Sequence, residues 1–211
     1  MPKKTGIAML AAGAVLIISA LLLLFYNRAE DAHAGQEAES LLQSVEAVIE
    51  EQATAAATIP AAEESQAVTE TSEPLDPEMP VVILNGYGYI GYVEIPALEL
   101  KLPVMSKWDY DRLQISPCRQ FGSTRTDDLV IAAHNYWTHF GRLKDLSIGD
   151  SVLFTDMEGI VNTYSIAKIE TLAPDEVDAV QNSGYDLVLY TCTKGGKTRV
   201  TVFCDRTSDA K

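Results

Sequence analysis

The chain has 211 residues, a formal net charge of −14 and 47% hydrophobic residues. This length accommodates one medium-sized domain with appendages, and the hydrophobic content is sufficient for a packed core. The acidic charge is concentrated between residues 29 and 80, which contain 13 acidic residues and no lysine or arginine. Because a nucleic-acid-binding domain needs a basic face, this charge distribution argues against nucleic acid as a partner.

Residues 6–26 form an apolar segment that contains no charged residue. A helix of this length crosses the roughly 30 Å hydrocarbon core of a bilayer. Lys3 and Lys4 precede the segment, and basic flanks normally stay in the cytoplasm. We therefore predict that residues 1–28 form a cytoplasmic N-terminus and a single-pass anchor in the cell membrane, with the rest of the chain outside the cytoplasm.

A cleaved signal peptide is the alternative interpretation of this segment. Ala32-His33-Ala34 fits the small-x-small cleavage pattern. However, the apolar region of a signal peptide usually spans about 7–15 residues, which is shorter than the segment found here. An uncleaved anchor is therefore preferred, and under either interpretation the body of the protein is exported.

Residues 29–80 are predicted to be an acidic linker outside the cytoplasm. Residues 40–52 have apolar side chains at helical spacing among several glutamates, which predicts a short solvated helix. Residues 53–80 are rich in Ala, Thr, Glu and Pro. Such a composition buries little apolar surface, so we predict a disordered spacer between the anchor and a folded domain.

From about Val81 the chain shows short runs of alternating apolar and polar residues, separated by Gly, Pro, Asn and Asp. Only Ser106–Arg119 and Pro174–Ser183 have the pattern of helices. Many short strands with few helices predict a mainly β domain over residues 81–211, either a closed barrel or a sandwich. Strands are predicted over residues 90–96, 98–104, 128–133, 150–154, 161–171, 185–191 and 198–204.

The three cysteines have different sequence settings. An odd number of cysteines in an exported protein leaves at least one thiol unpaired or paired between chains. Cys204 shares one strand face with Val200 and Val202, which is typical of a core residue. Cys118 lies beside Pro117 and has no assignable role, and a bridge between Cys118 and Cys204 is left open.

Cys192 closes an apolar strand, and Arg199 begins the next strand after a six-residue turn from Thr193 to Thr198. Such a turn lets the two strands pair, so Cys192 and Arg199 are expected to lie close together. A guanidinium near a thiol favours the nucleophilic thiolate and can donate hydrogen bonds to a developing oxyanion. The pair is therefore a candidate catalytic site, although a buried cysteine beside a surface arginine has the same local pattern.

A cysteine nucleophile needs a proton carrier within hydrogen-bonding reach. His134 follows the apolar run that ends at Ala133, whereas His139 lies in a loop and His33 in the acidic linker. We prefer His134, because the end of a strand is held more rigidly than a loop and catalysis depends on position. The sequence shows no zinc-ligand spacing, no glycine-rich phosphate loop and no G-x-S-x-G nucleophile.

Together these residues resemble the sortases. The family pattern is T-L-x-T-C at the end of the seventh barrel strand, an arginine on the eighth strand and a histidine after the fourth. Here residues 188–192 read VLYTC, with Val188 in place of the first threonine, Arg199 lies in TRVTVFC and His134 in DLVIAAHN. The resemblance extends from about Tyr87 to Arg206, and it rests on the order and spacing of the motifs together.

The resemblance implies a closed eight-stranded β-barrel with a few short helices and a cysteine transpeptidase activity. In it, Cys192 attacks a backbone carbonyl within a C-terminal sorting motif of a secreted protein and forms a thioacyl intermediate. Arg199 holds the substrate and steadies the oxyanion, and His134 transfers protons. The acceptor is an amine, such as one on a peptidoglycan precursor or a pilin subunit. No metal or organic cofactor is required, and although some relatives bind calcium, we see no acidic cluster here that predicts it.

The resemblance leaves the subclass open. Pilus-building members often carry a second, C-terminal membrane segment, and some carry a lid with a D-P-W or D-P-F motif; neither is found, which disfavours that subclass. The loop over residues 172–185 is expected to shape the sorting-motif pocket. The alternative function is a non-catalytic, membrane-tethered β-barrel that binds or scaffolds wall components. An L,D-transpeptidase is disfavoured because its usual S-H-G-C setting is absent.

Overall fold

The computed structural model describes residues 2–57 and 77–207 of the chain. Within these residues a long N-terminal helix, α1 (Pro2–Ala57), precedes a mainly β body. The predicted spacer over residues 53–80 lies largely outside the described residues. Its first residues, up to Ala57, instead continue α1.

Helix α1 runs without a break through the predicted anchor and the predicted helix over residues 40–52. Among the described residues it is the one helix that is long and apolar enough to cross a membrane. Its large apolar side chains from Ile7 to Tyr26 are exposed. A continuous apolar surface of this length is suited to hydrocarbon rather than water, so this part of α1 is a candidate membrane anchor.

The second half of α1 packs on the β body. Ala34, Ala38, Leu41 and Val45 recur every three or four residues and are all buried. Residues at this spacing share one face of a helix, and this face contacts the barrel. The expectation of a solvated helix is therefore wrong, because the acidic composition of the segment conceals an apolar stripe that needs a partner surface.

Nine strands form one sheet within the described residues, and eight of them close into a barrel. The strands follow the order β1-β2-β3-β4-β5-β8-β9-β7-β6, and β6 also pairs with β2. The pairs β3–β4 and β5–β8 are parallel and the others antiparallel. The predicted mainly β fold with a closed eight-stranded barrel is confirmed. The strands are β1 (Val82–Leu84), β2 (Tyr87–Ile95), β3 (Leu100–Met105), β4 (Cys118–Phe121), β5 (Leu129–Ala133), β6 (Ser151–Asp156), β7 (Val161–Leu172), β8 (Leu187–Cys192) and β9 (Arg199–Arg206).

The predicted helix over Ser106–Arg119 is much shorter in the structure. Helix α2 spans Tyr110–Ile115, and the chain then enters strand β4. The Asp109 side chain accepts a 2.7 Å hydrogen bond from the Arg112 backbone N–H and so caps the start of the helix. The helix ends at Ser116, which is extended because it precedes a proline. The predicted helix over Pro174–Ser183 is likewise reduced to α3, Val177–Gln181.

The barrel closes where β2 meets β6, at Gly91. This residue has a φ of +139°, and a Cβ atom there would lie 1.9 Å from the Thr155 carbonyl oxygen. Only glycine permits so close an approach at this backbone conformation. The barrel interior holds the main core, to which inward-facing side chains of β2, β5, β8 and β9 contribute; among them are Ile90, Ile131, Leu189 and Val202.

Candidate active site

Strand β8 alternates between the barrel interior and its outer face. Leu187 and Leu189 are fully buried in the interior core, whereas Tyr190 and Cys192 are partly exposed. Because successive side chains of a strand point to opposite faces, Cys192 lies on the outer face at the end of β8. A substrate can reach a thiol in this position.

Arg199 is the Cα partner of Cys192, so the two side chains share the outer face. The connecting turn is closed by a 3.0 Å hydrogen bond from the Thr193 backbone N–H to the Thr198 carbonyl oxygen. Nη1 of Arg199 donates to the carbonyl oxygens of Gly196 and Thr198, each at 3.0 Å. Cys192 and Arg199 therefore lie close together across a hairpin, as predicted. The carbonyl oxygens of the turn hold the Arg199 guanidinium at this end of the hairpin.

His134 directly follows β5, which pairs in parallel with β8. Ala133 is the Cα partner of Thr191, so the next residues along the two strands are His134 and Cys192. Oγ1 of Thr191 donates a buried 2.8 Å hydrogen bond to the Ala133 carbonyl oxygen, which ties the two strand ends together. The structure therefore brings His134, Cys192 and Arg199 to the same end of three adjacent strands.

His139, the other candidate proton carrier, is fully buried. Burial lowers the pKa of His139 to about 4, although the nearby backbone of Ala34 favours the protonated ring. Within the described residues, neither of its ring nitrogens makes a hydrogen bond of ordinary geometry. An enclosed, neutral imidazole cannot meet a substrate, so the geometry favours His134.

The His134 side chain is partly exposed and stacks on Tyr136, with ring centroids 4.7 Å apart. Burial lowers the pKa of His134 below its ordinary value, while the Asn135 side chain and the Glu30 carboxylate oppose this change. Most His134 side chains are therefore neutral at pH 7. Such an imidazole can accept a proton, and its minor protonated fraction can donate one.

Helix α1 contacts the loop that carries His134, a relationship that the sequence did not reveal. Oδ1 of Asp31 accepts hydrogen bonds from the backbone N–H and from Oγ1 of Thr138, at 3.1 and 2.9 Å. Oε1 of Glu30 accepts a 3.1 Å hydrogen bond from the Tyr136 hydroxyl. Gly35 allows this close approach, since a Cβ there would lie 2.8 Å from a Thr138 carbon. The N-terminal helix thus helps to hold the loop between His134 and His139.

A groove lies beside Arg199 on the outer face of the barrel. Its cavity of about 170 Å³ is bounded on one side by the segment after β7, which the sequence predicted to shape a pocket. The opposite wall comes from α2 and β4, which the sequence analysis did not connect with the site. The lining includes Tyr110, Phe121, Leu172, Val177, Val180 and Tyr190. The groove is therefore mainly apolar, with a guanidinium at its edge.

All three cysteines are free thiols. Cys118 begins β4 and Cys204 lies in β9, and both are fully buried in different hydrophobic clusters. The bridge between them that the sequence left open is not formed, and the prediction of Cys204 as a core residue is confirmed. Burial raises the pKa of each of these two thiols to about 12, which keeps them protonated and unreactive. Cys192 is the one cysteine with an exposed surface.

No group of three or more histidine, cysteine, aspartate or glutamate side chains within residues 2–57 and 77–207 is arranged to hold a metal ion. The groups near the site that can act on a substrate are instead the guanidinium of Arg199 and the imidazole of His134. The Glu176 carboxylate, which also lines the groove, accepts a hydrogen bond from the Ala173 backbone N–H. Chemistry by this guanidinium and imidazole together with the Cys192 thiol requires only proton transfer and covalent catalysis.

A family model described as a sortase domain matches residues 93–207. This match covers more than half of the chain and includes β5, β8 and β9, whose ends carry the candidate residues. The chain therefore belongs to the sortase family, and its class of activity is that of a sortase-type cysteine transpeptidase. No curated protein sequence matches the chain.

Solved sortase structures share the fold. Sortase C1 from Streptococcus suis is 27% identical with a TM-score of 0.51, over 57% of this chain and 73% of that one. Sortase C1 from Streptococcus agalactiae is 26% identical with a TM-score of 0.52, over 60% of this chain and 72% of that one. A sortase D5 transpeptidase from Clostridium perfringens has a TM-score of 0.57 at 17% identity, over 82% and 99% of the two chains, and shows the fold alone.

Proposed function

We propose that this sortase cleaves a C-terminal sorting motif of secreted proteins and transfers the new carboxyl end to an amine of the cell wall or of a pilin subunit. The observation that carries the proposal is the alignment of His134, Cys192 and Arg199 at one end of β5, β8 and β9. A nucleophile, a proton carrier and a guanidinium on adjacent strands satisfy the requirements of covalent acyl transfer.

In the first half of the reaction, the Cys192 thiolate attacks the carbonyl carbon of the scissile peptide bond. The carbonyl oxygen gains negative charge, and the Arg199 guanidinium stabilises it. Arg199 has five N–H donors and uses one nitrogen for the turn carbonyls, so donors remain for this task. The carbon–nitrogen bond then breaks, protonated His134 donates its proton to the leaving amine, and a thioester to Cys192 remains.

In the second half, the acceptor amine attacks the thioester carbon, and the neutral His134 imidazole accepts a proton from that amine. The carbon–sulfur bond breaks, which releases a new amide and returns the sulfur to the thiolate form. The lowered pKa of His134 favours the neutral form that this half requires. One imidazole thus acts as acid and then as base.

The groove beside Arg199 supports binding of the sorting motif there. Its apolar walls fit aliphatic side chains of a peptide, and Tyr190 lies on the same outer face two residues before Cys192. An extended peptide in this groove would present its backbone carbonyl near the thiol. The walls come from β4 and from the segment around α3, so these elements set the specificity.

The proposed location is the outer surface of the cell membrane, with α1 as an uncleaved anchor and its N-terminus in the cytoplasm. Two observations support it. The apolar part of α1 continues directly into the part that packs on the barrel. Ala34, within the alternative signal-peptidase pattern, is buried against the barrel inside the helix, where a peptidase cannot reach it without unfolding this contact.

The test uses the full chain in lipid nanodiscs, a fluorogenic library of sorting-motif peptides and an amine acceptor. The variants are Cys192→Ala, His134→Ala and Arg199→Ala, with His33→Ala as the matched control because His33 is exposed on α1. We expect joined product with the wild type and the control, and loss of product in the three site variants. Activity that survives Cys192→Ala would overturn the mechanism. An inert Cys192 that resists alkylation would favour the scaffold function.

A further inference from the structure

The distance between the apolar span and the active-site loops is short along α1. The span ends near Tyr26, and the first contacts with the barrel loops are made by Glu30 and Asp31. A helix rises about 1.5 Å per residue, so these contacts lie roughly 6–8 Å beyond the span. This interval corresponds to the lipid headgroup region, which extends several ångströms beyond the hydrocarbon core.

The loop after β5 faces the same interval. The Tyr136 hydroxyl donates a 3.1 Å hydrogen bond to Oε1 of Glu30, which follows Tyr26 by four residues, so this hydroxyl lies within about one helical turn of the end of the span. A cavity of about 520 Å³ separates this loop from the helix, and Leu24 and Lys194 both line it. Lys194 lies two residues after Cys192. The loop after Cys192, which contains Lys194, therefore lies beside the last turns of the apolar span.

The chemistry of this face fits a membrane surface. Trp137 is 63% exposed, with the Arg142 guanidinium 5.1 Å from its ring centre. Arg28, Lys144 and Lys194 line the cavity between helix and loop. The acidic side chains at this level, Glu30 and Asp31, accept hydrogen bonds from the barrel loop. Exposed tryptophan and tyrosine beside basic residues are typical of the membrane–water interface.

We propose that the active-site end of the barrel rests in the headgroup layer, where Trp137 enters the interface and Arg28, Lys144 and Lys194 bind anionic lipid phosphates. This inference rests on the proposed anchoring of α1. It places Cys192 close to the membrane surface. A donor or acceptor tethered to the bilayer then meets the thiol at a high effective concentration, whereas a soluble one does not.

The second tryptophan provides an internal control. Trp108 packs in the cluster that includes Leu41 and Val45 of α1. These residues follow Tyr26 by 15 and 19 positions, so this part of α1 lies about 20–30 Å beyond the span. Trp108 is itself partly buried and lines the groove beside Arg199, whereas the cavity beside Arg28 is lined by Trp137. The protein has two tryptophans, and each can be removed to leave the other as the only indole fluorophore.

The test reconstitutes the full chain as Trp108→Phe and as Trp137→Phe in vesicles that contain brominated lipids, and measures tryptophan quenching. We expect loss of most Trp137 emission in the Trp108→Phe variant and little change for Trp108 in the Trp137→Phe variant. Equal, weak quenching of both tryptophans in vesicle-bound protein would overturn the inference and leave the anchor intact. Failure to float with vesicles would overturn the anchor as well. Neither readout depends on turnover.

The lipid preference is tested with Lys144→Glu, and Lys168→Glu on β7 serves as the matched control. The attraction of one basic residue to an anionic membrane surface changes the ratio of membrane-docked to undocked barrel about fivefold. We therefore expect Lys144→Glu to reduce Trp137 quenching in vesicles with phosphatidylglycerol, and the control to leave it unchanged. Quenching that is the same in zwitterionic and anionic vesicles would overturn the proposed binding of lipid phosphates.

Discussion

Cys192 and Arg199 are directly opposite each other on β8 and β9, with both side chains on the outer face of the barrel. The hairpin turn between them is held by backbone and side-chain hydrogen bonds of Thr193 and Thr198. Because side chains of opposed residues have Cβ atoms about 4.5–5.5 Å apart, the guanidinium needs only a rotamer change to reach the oxyanion of a substrate carbonyl that the sulfur has attacked. The hairpin therefore positions the arginine as well as the nucleophile.

Replacement of Arg199 by alanine is expected to lower kcat by about 10²–10³, the usual cost of losing an oxyanion donor. Arg199→Lys should restore little of this activity, because an ammonium cannot reproduce the planar set of N–H donors. Lys197→Ala, in the same turn and exposed, is the control. Steady-state kcat and KM measurements distinguish the outcomes. An effect confined to KM would show that Arg199 only binds substrate.

His139 is expected to make the folded protein sensitive to mild acid. Its folded pKa, about 4, lies below its unfolded value, so only the unfolded state binds a proton in the interval between the two values. The resulting stability is complete above about pH 6.5 and is lost as the pH falls towards 4, by on the order of 3 kcal/mol. Urea unfolding at pH 7.5 and pH 5 tests this. His139→Leu should reduce the pH dependence of the free energy of unfolding. An unchanged pH dependence in this variant would show that His139 is not its source.

The contact between Asp31 and Thr138 is expected to stabilise the loop that follows His134. Hydrogen bonds to a carboxylate contribute about 1.5–3 kcal/mol, so Asp31→Ala should increase amide exchange across residues 134–139. Asp31→Asn, which keeps an oxygen acceptor, should have a smaller effect. Thr138→Val removes one of the donors, and a double-mutant cycle with Asp31→Ala should show coupling. Strict additivity of the two substitutions would show that this contact is not formed in solution.

A form that begins at residue 81 is expected to be less stable than one that begins at residue 27. The shorter form lacks the buried stripe of α1, in which full burial of each large side chain such as Leu41 or Val45 contributes about 1.5–3 kcal/mol. The longer form lacks only the candidate membrane span, and it serves as the control. Chemical denaturation of both forms compares their midpoints. Coincident transitions would show that α1 is a dispensable tether.

Much of the site could be predicted because its parts are local in sequence. The alternation from Leu187 to Cys192 and the short turn to Arg199 specify a hairpin, and a hairpin sets its own register. The same alternation placed Cys204 in the core, as the structure confirms. Helix lengths were less predictable. Ser116 and the following proline end α2 early, but the apolar periodicity on either side of this proline predicted a longer helix.

The sequence by itself determined the apolar span, the mainly β body and the pairing of Cys192 with Arg199, since each depends on residues within a few positions of one another. Only the tertiary structure decided that β5 lies beside β8, which brings His134 to Cys192 across more than fifty residues of chain. It also decided that His139 is enclosed and that Ala34 to Val45 pack on the barrel. The physical reason is that burial depends on which distant surfaces cover each other, and a local pattern shows an apolar face without showing its partner.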